Sequence, residues 1–397
     1  MEQWIDREEK TILNTYNRMP VVVSHGEGSY LFDDSGKRYL DMFSGLAVNA
    51  LGHCHPELVE EGKKQLEKYL HISNFFYCKE AIALGEALVT RGFPGKVFFT
   101  NTGTEGVEAA IKYLYKIGIK KERQGIVSLS GSFHGRTLGA LGLTKIPSVS
   151  RDFPVVDYPI YEISRESLKD LEALFVKKRP VGIILEPVSG SGGIEITAAE
   201  EMERIATLCK KHDVALCIDE IQTGIGRTGK FFAYQHYGVI PDIVVFAKGV
   251  GGGSPLGGIL VHERVDGYFQ PGDHGTTFGP SPFSAALGRK VLEIMNEDFL
   301  LAVEEKGRRL QRGIEDLQQK FPESLGEVRR MGLMLGVDIK TDPSGLKEFL
   351  LEEQVLVNVT AVNVLRLLPP LIIGDMEIQE FLRALEKALD KIKSEDL

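Results

Sequence analysis

The sequence predicts an α/β fold: a large domain with a mainly parallel sheet covered by helices, plus a smaller C-terminal α/β domain. Between residues 95 and 265, short apolar segments alternate with helical or loop segments. These segments are apolar nearly throughout, which is typical of strands buried on both faces. After about residue 290 the pattern changes, and a long helical stretch precedes further strands. The predicted strands of the large domain are KVFFT, GIVSLS, VGIILEP, VALCIDE, DIVVFAK and GGILVH.

The other elements follow from local patterns. Residues 28–42 predict a hairpin, because SYLF and KRYLDM flank the turn-forming DDSG. Helical periodicity covers 56–70, 80–91 and 105–118. The N-terminal segment is too short to fold alone, so we expect it to pack beside the C-terminal domain. The expected parts are residues 1–50, 51–290 and 291–397.

Composition excludes several classes of function. The chain has 397 residues with a net charge of -9 and shows no basic stripe, so nothing favours nucleic-acid binding. The N-terminus is polar and no apolar run approaches the length of a membrane span. Four scattered cysteines without CxxC spacing favour a reducing, cytoplasmic location. The adjacent side chains of His53, Cys54 and His55 cannot easily converge on one ion, so we predict no metal site.

Polar residues follow three of the predicted strands, where parallel sheets bind ligands. Residues 100–105 (TNTGTE) precede a helix whose N-terminus suits a phosphate, although a simple capped loop would look the same. Asp219 ends VALCI and could cap a helix, hold a metal or pair with a cationic heterocycle. Lys248 ends DIVVFA among glycines, where burial would make it an amine nucleophile. A surface lysine at a strand end is the alternative.

The three strand ends make a stronger case together than singly. Pyridoxal phosphate (PLP) needs a lysine for its Schiff base, a carboxylate facing the pyridinium nitrogen and a phosphate cradle. A carboxylate favours the protonated ring because opposite charges stabilise each other. The GxGxxG match at 224–229 is a weaker competitor, since a dinucleotide fingerprint should directly follow its strand and open a helix. The sequence therefore favours PLP over NAD.

These residues also lie in blocks that resemble the class III, or ω-type, aminotransferases of PLP fold type I. The resemblance extends over roughly residues 12–390 and is closest to the acetylornithine and ornithine aminotransferase subgroup, which RLLPPLII at 366–373 and VNVT at 357–360 support. The specific blocks are AVNALGHCHP at 47–56, NTGTE at 101–105, SFHGRTLGA at 132–140, DEIQTGIGRTG at 219–229, AKGVGGGSPLGG at 247–258 and GDHGTTFG at 272–279.

The resemblance implies a role for each matching residue. Lys248 would carry the cofactor and move a proton between the substrate carbon and cofactor C4′. Asp219 would pair with the pyridinium nitrogen, and Gln222 would hydrogen-bond the ring oxygen. Phe133 and Ile221 would sandwich the ring. The resemblance also implies a phosphate cradle from Gly103 and Thr104, and a contact from Thr277 to the phosphate of a partner subunit's cofactor in a homodimer with shared active sites.

The resemblance implies that Tyr16 and Arg136 hold the far end of an ω-amino donor, and that Arg366 binds the α-carboxylate of glutamate or 2-oxoglutarate. Guanidinium pairs with carboxylate in a bidentate manner, which suits arginine for both tasks. Helix capping by Arg136 and a surface position for Arg366 are the alternatives. One departure concerns Ser191, where the family usually has the glutamate that pairs with this arginine. Either Arg366 stays open to any carboxylate, or another residue pairs with it.

The expected reaction transfers the ω-amine of an acetylornithine-like donor to 2-oxoglutarate through the pyridoxal and pyridoxamine forms of the cofactor. The products are a semialdehyde and glutamate, and the resemblance implies a place in amino-acid metabolism such as arginine biosynthesis. Ornithine, lysine, 4-aminobutyrate and diamines remain alternative donors. A racemase or epimerase on the same fold remains a second class of activity, because Ser191 alters the substrate region. A binding protein without catalysis conflicts with the presence of both Lys248 and Asp219.

Overall fold

The computed structural model describes residues 2–154 and 156–395 of the chain. The N-terminal region forms a small antiparallel hairpin beside a short third strand, followed by helices. In this region the predicted hairpin at 28–42 is confirmed, with β2 and β3 flanking the turn. The elements are α1 (Glu2–Thr11), β1 (Val23–Glu27), β2 (Tyr30–Asp33), β3 (Arg38–Asp41), α2 (Ser44–Ala47), α3 (Pro56–Leu66) and α4 (Lys79–Arg91).

The middle of the chain builds a seven-stranded sheet with helices between its strands. This region has nine strands, of which all except β8 and β9 belong to the seven-stranded sheet. They are β4 (Gly95–Thr100), β5 (Ile126–Leu129), β6 (Ile160–Ile163), β7 (Gly182–Leu185), β8 (Val188–Ser189), β9 (Glu195–Ile196), β10 (Ala215–Asp219), β11 (Ile243–Phe246) and β12 (Gly257–His262). The helices are α5 (Gly103–Lys121), α6 (Leu138–Leu143), α7 (Pro147–Ser150), α8 (Leu171–Lys178) and α9 (Ala199–His212), with short 3₁₀ turns at Leu168–Asp170, Ala233–His236, Lys248–Gly251 and Glu263–Val265.

The strand order of the large sheet is β4-β12-β11-β10-β7-β5-β6. Only β12 runs antiparallel to its neighbours β11 and β4, so the expected mainly parallel α/β sheet is confirmed. The central strands β10 and β11 are buried along their whole length, as their unbroken apolar sequences predict. β8 and β9 form a separate two-stranded ribbon after β7.

The C-terminal region forms a second sheet packed with long helices. The long helical stretch expected after about residue 290, over 291–320, is divided between two helices. The Asn296 side chain caps the second helix, because it accepts a hydrogen bond from Phe299 N at 2.9 Å. The elements are α10 (Pro282–Ile294), α11 (Glu297–Lys320), β13 (Leu325–Met331), β14 (Met334–Ile339), α12 (Pro343–Glu352), β15 (Val355–Leu356), β16 (Asn358–Thr360), β17 (Val364–Leu367) and α13 (Asp375–Glu395).

One strand pairing connects the two ends of the chain. β15 pairs in parallel with β3, so the N-terminal hairpin and a C-terminal strand share one sheet. In the other C-terminal sheet, of order β13-β14-β17-β16, Asn358 lies directly opposite Arg366 across the β16–β17 pair. This register brings the two polar side chains next to each other, which the linear sequence does not reveal. Across the described parts of the chain, no helix is both long and apolar enough to cross a membrane.

Candidate active site

A cavity of about 440 Å³ lies at the carboxyl ends of the central strands, where loops follow β4, β10 and β11. Eight of the predicted site residues line it, together with Glu186 and Ser191 from the loop after β7. These eight are Gly103, Thr104, Phe133, Arg136, Asp219, Ile221, Gln222 and Lys248. The strand order explains the convergence, because β10 and β11 are neighbours and their ends reach the same edge.

Lys248 follows β11 and begins the 3₁₀ turn Lys248–Gly251 with a left-handed φ of 51°. The pKa of its amine is lowered to about 8, chiefly by burial and next by the positive charge of Arg366. The carboxylates of Asp219 and Glu186 oppose this shift. A lowered pKa leaves more of the amine neutral near pH 7, which is the form that attacks a carbonyl carbon.

Asp219 is held at the end of β10 by a histidine. Its Oδ2 atom lies 2.7 Å from His134 Nδ1, and its Oδ1 atom accepts a hydrogen bond from Ile221 N at 3.0 Å. Asp219 is 3% exposed and His134 is 1% exposed, so the pair is buried. This contact fixes the orientation of the carboxylate, which lines the cavity and retains acceptor capacity toward it.

The N-terminus of α5 forms the anion-binding wall of the cavity. The side chain of Glu105 accepts hydrogen bonds from Asn101 N at 2.7 Å and Thr102 N at 2.9 Å. A capping box of Thr102 and Glu105 therefore satisfies the preceding amides. Gly103 and Thr104 line the cavity, and their N–H groups, the first of the helix, have no acceptor within the helix. This wall of the cavity therefore suits a phosphate.

The cavity walls also suit a flat ring. A Cβ added at Gly103 would lie 2.8 Å from Ile221 Cδ1, so only glycine allows the helix N-terminus to approach this wall. Phe133 lies in the same cavity, and the Arg136 guanidinium lies 5.7 Å from its ring centroid. Gln222 Oε1 is buried and lacks a partner among the described residues. A buried amine, a buried carboxylate, an anion cradle and apolar walls fit pyridoxal phosphate.

Arg366 lies beside this cavity without lining it, and it is 6% exposed. Its Nε and Nη2 atoms donate to Asn358 Oδ1 at 3.0 and 2.7 Å. Its Nη1 atom donates to Gly190 O at 3.0 Å, next to the cavity residue Ser191. Burial lowers the pKa of Arg366 to about 10, opposed by the charge of Glu186. The sequence left open whether Arg366 stays unpaired or is paired by a residue other than the missing glutamate. In the structure the neutral residue Asn358 pairs with it.

Two predicted site residues lie on the surface of the chain rather than in its cavity. Tyr16 is 70% exposed and follows α1 in an irregular segment. Thr277 is also exposed, in the loop between β12 and α10. Asn74 holds this loop by donating to Thr276 O at 2.8 Å and Gly279 O at 3.1 Å. The structure of one chain therefore does not bring Tyr16 or Thr277 to the residues around Lys248.

Sequence reasoning gave no role to three polar residues at the site. His134 follows Phe133 in the SFHGRTLGA block, so adjacency was the available signal for it. Glu186 lies in the predicted strand segment VGIILEP, which gave it no role, yet its carboxylate accepts hydrogen bonds from Phe133 N at 3.0 Å and Gly190 N at 3.4 Å. Burial raises the pKa of Glu186, and the nearby charge of Asp219 raises it further. Asn358 gave no such signal, because its contact with Arg366 depends on strand register.

The GxGxxG segment at 224–229 has a structural environment unlike a dinucleotide site. It forms consecutive turns and does not open an α-helix, as the sequence argument expected. Its Arg227 is buried at 2% exposure and donates to Leu333 O at 3.1 Å and Pro369 O at 2.6 Å. Burial lowers the pKa of Arg227 to about 9. The segment therefore ties the loop after Asp219 to the C-terminal sheet that carries Arg366.

Comparisons with known proteins agree with this geometry. Residues 11–389 match the family described as Aminotransferase class-III. An acetylornithine aminotransferase from Caldanaerobacter subterraneus subsp. tengcongensis is 41% identical over 98% of this chain and 100% of its own length. Another from Methanocaldococcus jannaschii is 39% identical over 99% of each chain.

Solved structures show the same fold. Ornithine aminotransferase from Toxoplasma gondii, described with partial occupancy of PLP at its active site, superposes with a TM-score of 0.94, at 26% identity over 99% of this chain and 95% of that one. N-acetylornithine aminotransferase from Stenotrophomonas maltophilia superposes with a TM-score of 0.85, at 30% identity over 98% and 99% of the chains. The expected fold and cofactor are confirmed, and the chain belongs to the class III aminotransferases, which depend on pyridoxal phosphate.

Proposed function

We propose that this enzyme transfers the ω-amino group of N-acetylornithine, or a close analogue, to 2-oxoglutarate, giving a semialdehyde and glutamate. The observation that carries the proposal is the convergence of Lys248 and Asp219 on one cavity with Arg136 exposed in its wall. Curated relatives named acetylornithine aminotransferase, at about 40% identity over nearly the full chain, support the donor and with it a place in arginine biosynthesis.

In the proposed mechanism the chain positions a cofactor and handles one proton. When bound, pyridoxal phosphate supplies an electrophilic carbon for the amine and a ring that withdraws electrons from the reacting carbon. Lys248 Nζ would hold the cofactor in its resting form and, once released, would serve as the base that takes the proton from the substrate carbon bearing the amine. Asp219 would pair with the ring nitrogen, and His134 orients its carboxylate through the 2.7 Å contact at Oδ2. Gly103 and Thr104 would hold the phosphate, Phe133 and Ile221 would hold the ring between them, and Gln222 would hydrogen-bond the ring oxygen.

The two substrates require carboxylate contacts at different distances from Lys248. An ω-amine reacts at a carbon without a carboxylate, so the donor carboxylate must be held several bonds away. Arg136 is exposed at the cavity, and we assign this role to it together with the exposed Tyr16. Glutamate carries its α-carboxylate next to the reacting carbon, and Arg366 is the cation with the larger effect on the pKa of Lys248, ahead of Arg227. The proposal thus assigns one arginine to each half-reaction.

The proposal includes a homodimer with shared active sites. Thr277 would contact the phosphate of the partner subunit's cofactor, which agrees with its exposure outside the cavity of its own chain. The neighbouring loop presents Phe75 at 94% and Tyr77 at 95% exposure, and such aromatic surface is typical of an interface. A cytoplasmic location is also proposed, supported by four cysteines that all remain free thiols.

The test of the function uses the PLP form of the wild-type enzyme without any 2-oxoacid. N-acetylornithine, ornithine, lysine, 4-aminobutyrate, putrescine and glutamate would be added separately while the cofactor absorption is followed. The proposal predicts that N-acetylornithine and glutamate both convert the pyridoxal band to the pyridoxamine band. Conversion by another ω-amine in place of N-acetylornithine would replace the donor, and conversion by none of the six would contradict the transaminase function.

A further inference from the structure

The hydrogen-bond partners of the buried Arg366 guanidinium are all uncharged. They are the side-chain oxygen of Asn358 and the carbonyl of Gly190. Among the side chains of residues 3–154 and 156–394, no carboxylate lies within ion-pair distance of this guanidinium. A buried cation without a counter-ion is costly, so it is normally retained where a ligand supplies the negative charge.

A count of donors shows that the guanidinium still has capacity for a ligand. Arginine has five N–H groups, and three of them are used, two by Asn358 and one by Gly190. One N–H group therefore remains on each terminal nitrogen, since Nη1 and Nη2 each make one of these bonds. Two such groups side by side match the two oxygens of a carboxylate.

The position of Asn358 is fixed by its strand and by the loop at the cavity wall. Asn358 pairs with Arg366 in the register of β16 and β17. Two residues further along β16, Thr360 Oγ1 donates to Ser191 O at 3.0 Å. The same short strand therefore holds both the guanidinium and the loop of Gly190 and Ser191. Ser191 lines the cavity with a short, neutral side chain and so presents no carboxylate to Arg366. Glu186 is the acidic residue whose charge acts on Arg366, and its carboxylate accepts hydrogen bonds from Phe133 N and Gly190 N.

We propose that Asn358 is a positioning and specificity-determining residue that holds Arg366 through a neutral acceptor, so that its charge remains available to the α-carboxylate of glutamate or 2-oxoglutarate. This inference rests on the substrate role proposed for Arg366 above. A carboxylate ligand then binds without displacing any acidic side chain from the guanidinium. Binding of the acceptor and reaction with the ω-amino donor become separable, since Arg136 and not Arg366 meets the donor.

The experiment changes the charge of the clamp and not its shape. Asn358→Asp keeps the same size but gives Arg366 a permanent counter-ion. Binding of glutarate, a dicarboxylate without an amine, is measured by calorimetry on the PLP-form enzyme, alongside single-turnover rates with glutamate and with the ω-amino donor. We expect glutarate and glutamate to bind about 10- to 100-fold more weakly, the range for losing charge-assisted hydrogen bonds, with a far smaller change in the rate for the ω-amino donor.

Two control variants exclude trivial causes. Val362→Asp adds the same charge at the 90% exposed tip of the β16–β17 hairpin and should leave glutarate binding unchanged. Asn358→Ser keeps a neutral oxygen near Arg366 and should bind glutarate far better than Asn358→Asp. A structural defect at position 358 would instead weaken glutarate binding to the same extent in Asn358→Asp and Asn358→Ser, and it would slow both half-reactions. That pattern would overturn the inference, as would unchanged glutarate binding in Asn358→Asp.

Arg366→Gln separates this inference from the function on which it rests. If Arg366→Gln weakens glutarate binding and Asn358→Asp does not, Arg366 binds the ligand without depending on a neutral clamp, and the inference fails alone. If neither variant weakens glutarate binding, the carboxylate role of Arg366 fails and the inference fails with it. Weakened binding in both variants, with Val362→Asp unchanged, supports the inference.

Discussion

Asp219 and Arg366 are both buried, and both act on the pKa of Lys248, yet their hydrogen-bond partners differ in kind. Asp219 contacts a titratable partner, since His134 Nδ1 lies 2.7 Å from its carboxylate. Arg366 contacts only neutral oxygens, those of Asn358 and Gly190. The carboxylate is thus fixed before any ligand binds, whereas the guanidinium keeps uncompensated charge. The comparison teaches that the Asp219 carboxylate is preorganised, whereas Arg366, in the role proposed for it, remains open to an anion.

The largest effect is expected from Lys248→Ala, which removes the group common to both half-reactions. Without the amine there is no base to move the proton at the reacting carbon, so kcat should fall by a factor on the order of 10⁴. Steady-state assays with either substrate pair would measure it. Equal residual activity in Lys248→Ala and the wild type would remove the basis of the whole mechanism. The cofactor content of the variant, determined by absorbance, controls for loss of binding.

A smaller effect is expected from Asp219→Asn, because the preorganised side of the comparison would lose its charge and keep its shape. The ring nitrogen would no longer face a carboxylate, so kcat should fall roughly 10²-fold or more with both amino donors. Rates of the two half-reactions would be compared by stopped flow. A loss confined to glutamate would contradict the assignment of Asp219 to the cofactor.

His134 should matter less than the carboxylate that it holds. His134→Gln would weaken the contact at Nδ1, and a partner that orients a key ligand typically contributes about 10-fold. The expected loss is in kcat for both half-reactions, with little change in the binding of glutarate. If the His134→Gln variant binds glutarate as poorly as Arg366→Gln does, the assignment of His134 to Asp219 and not to carboxylate binding would be contradicted.

The smallest expected effect is on the pH dependence of the amine. The pKa of Lys248 is lowered to about 8, chiefly by burial and next by the charge of Arg366. In the apoenzyme, the rate at which pyridoxal phosphate binds covalently should therefore rise with pH and level off above about 8, where the amine is mostly neutral. Arg366→Gln removes one lowering cause, so the plateau should move to higher pH. An identical profile in the variant would mean that Arg366 does not act on this amine.

The sequence predicted the cofactor side of the site well, for a physical reason. Lys248 and Asp219 end apolar strands, and the carboxyl ends of neighbouring parallel strands meet at one edge of the sheet. The acceptor side was predicted only through resemblance, and its clamp was not predicted. Asn358 meets Arg366 because β16 and β17 pair in one particular register, and Gly190 arrives from a distant loop. The linear sequence did not show that Tyr16 and Thr277 lie outside the cavity of their own chain, and the contact proposed for Thr277 is with a cofactor in the partner subunit. The division at residues 50 and 290 also stays a prediction.

The central claim is that separate arginines serve the two substrates, and a single-turnover comparison of wild-type enzyme with Arg366→Gln tests it most directly. Each enzyme, in its pyridoxal form, is mixed with N-acetylornithine or with glutamate, and the decay of the pyridoxal band is followed at several concentrations. We predict that the variant reacts normally with N-acetylornithine, while its apparent affinity for glutamate falls about 10- to 100-fold. An equal loss with both substrates, or no loss with glutamate, would contradict the account.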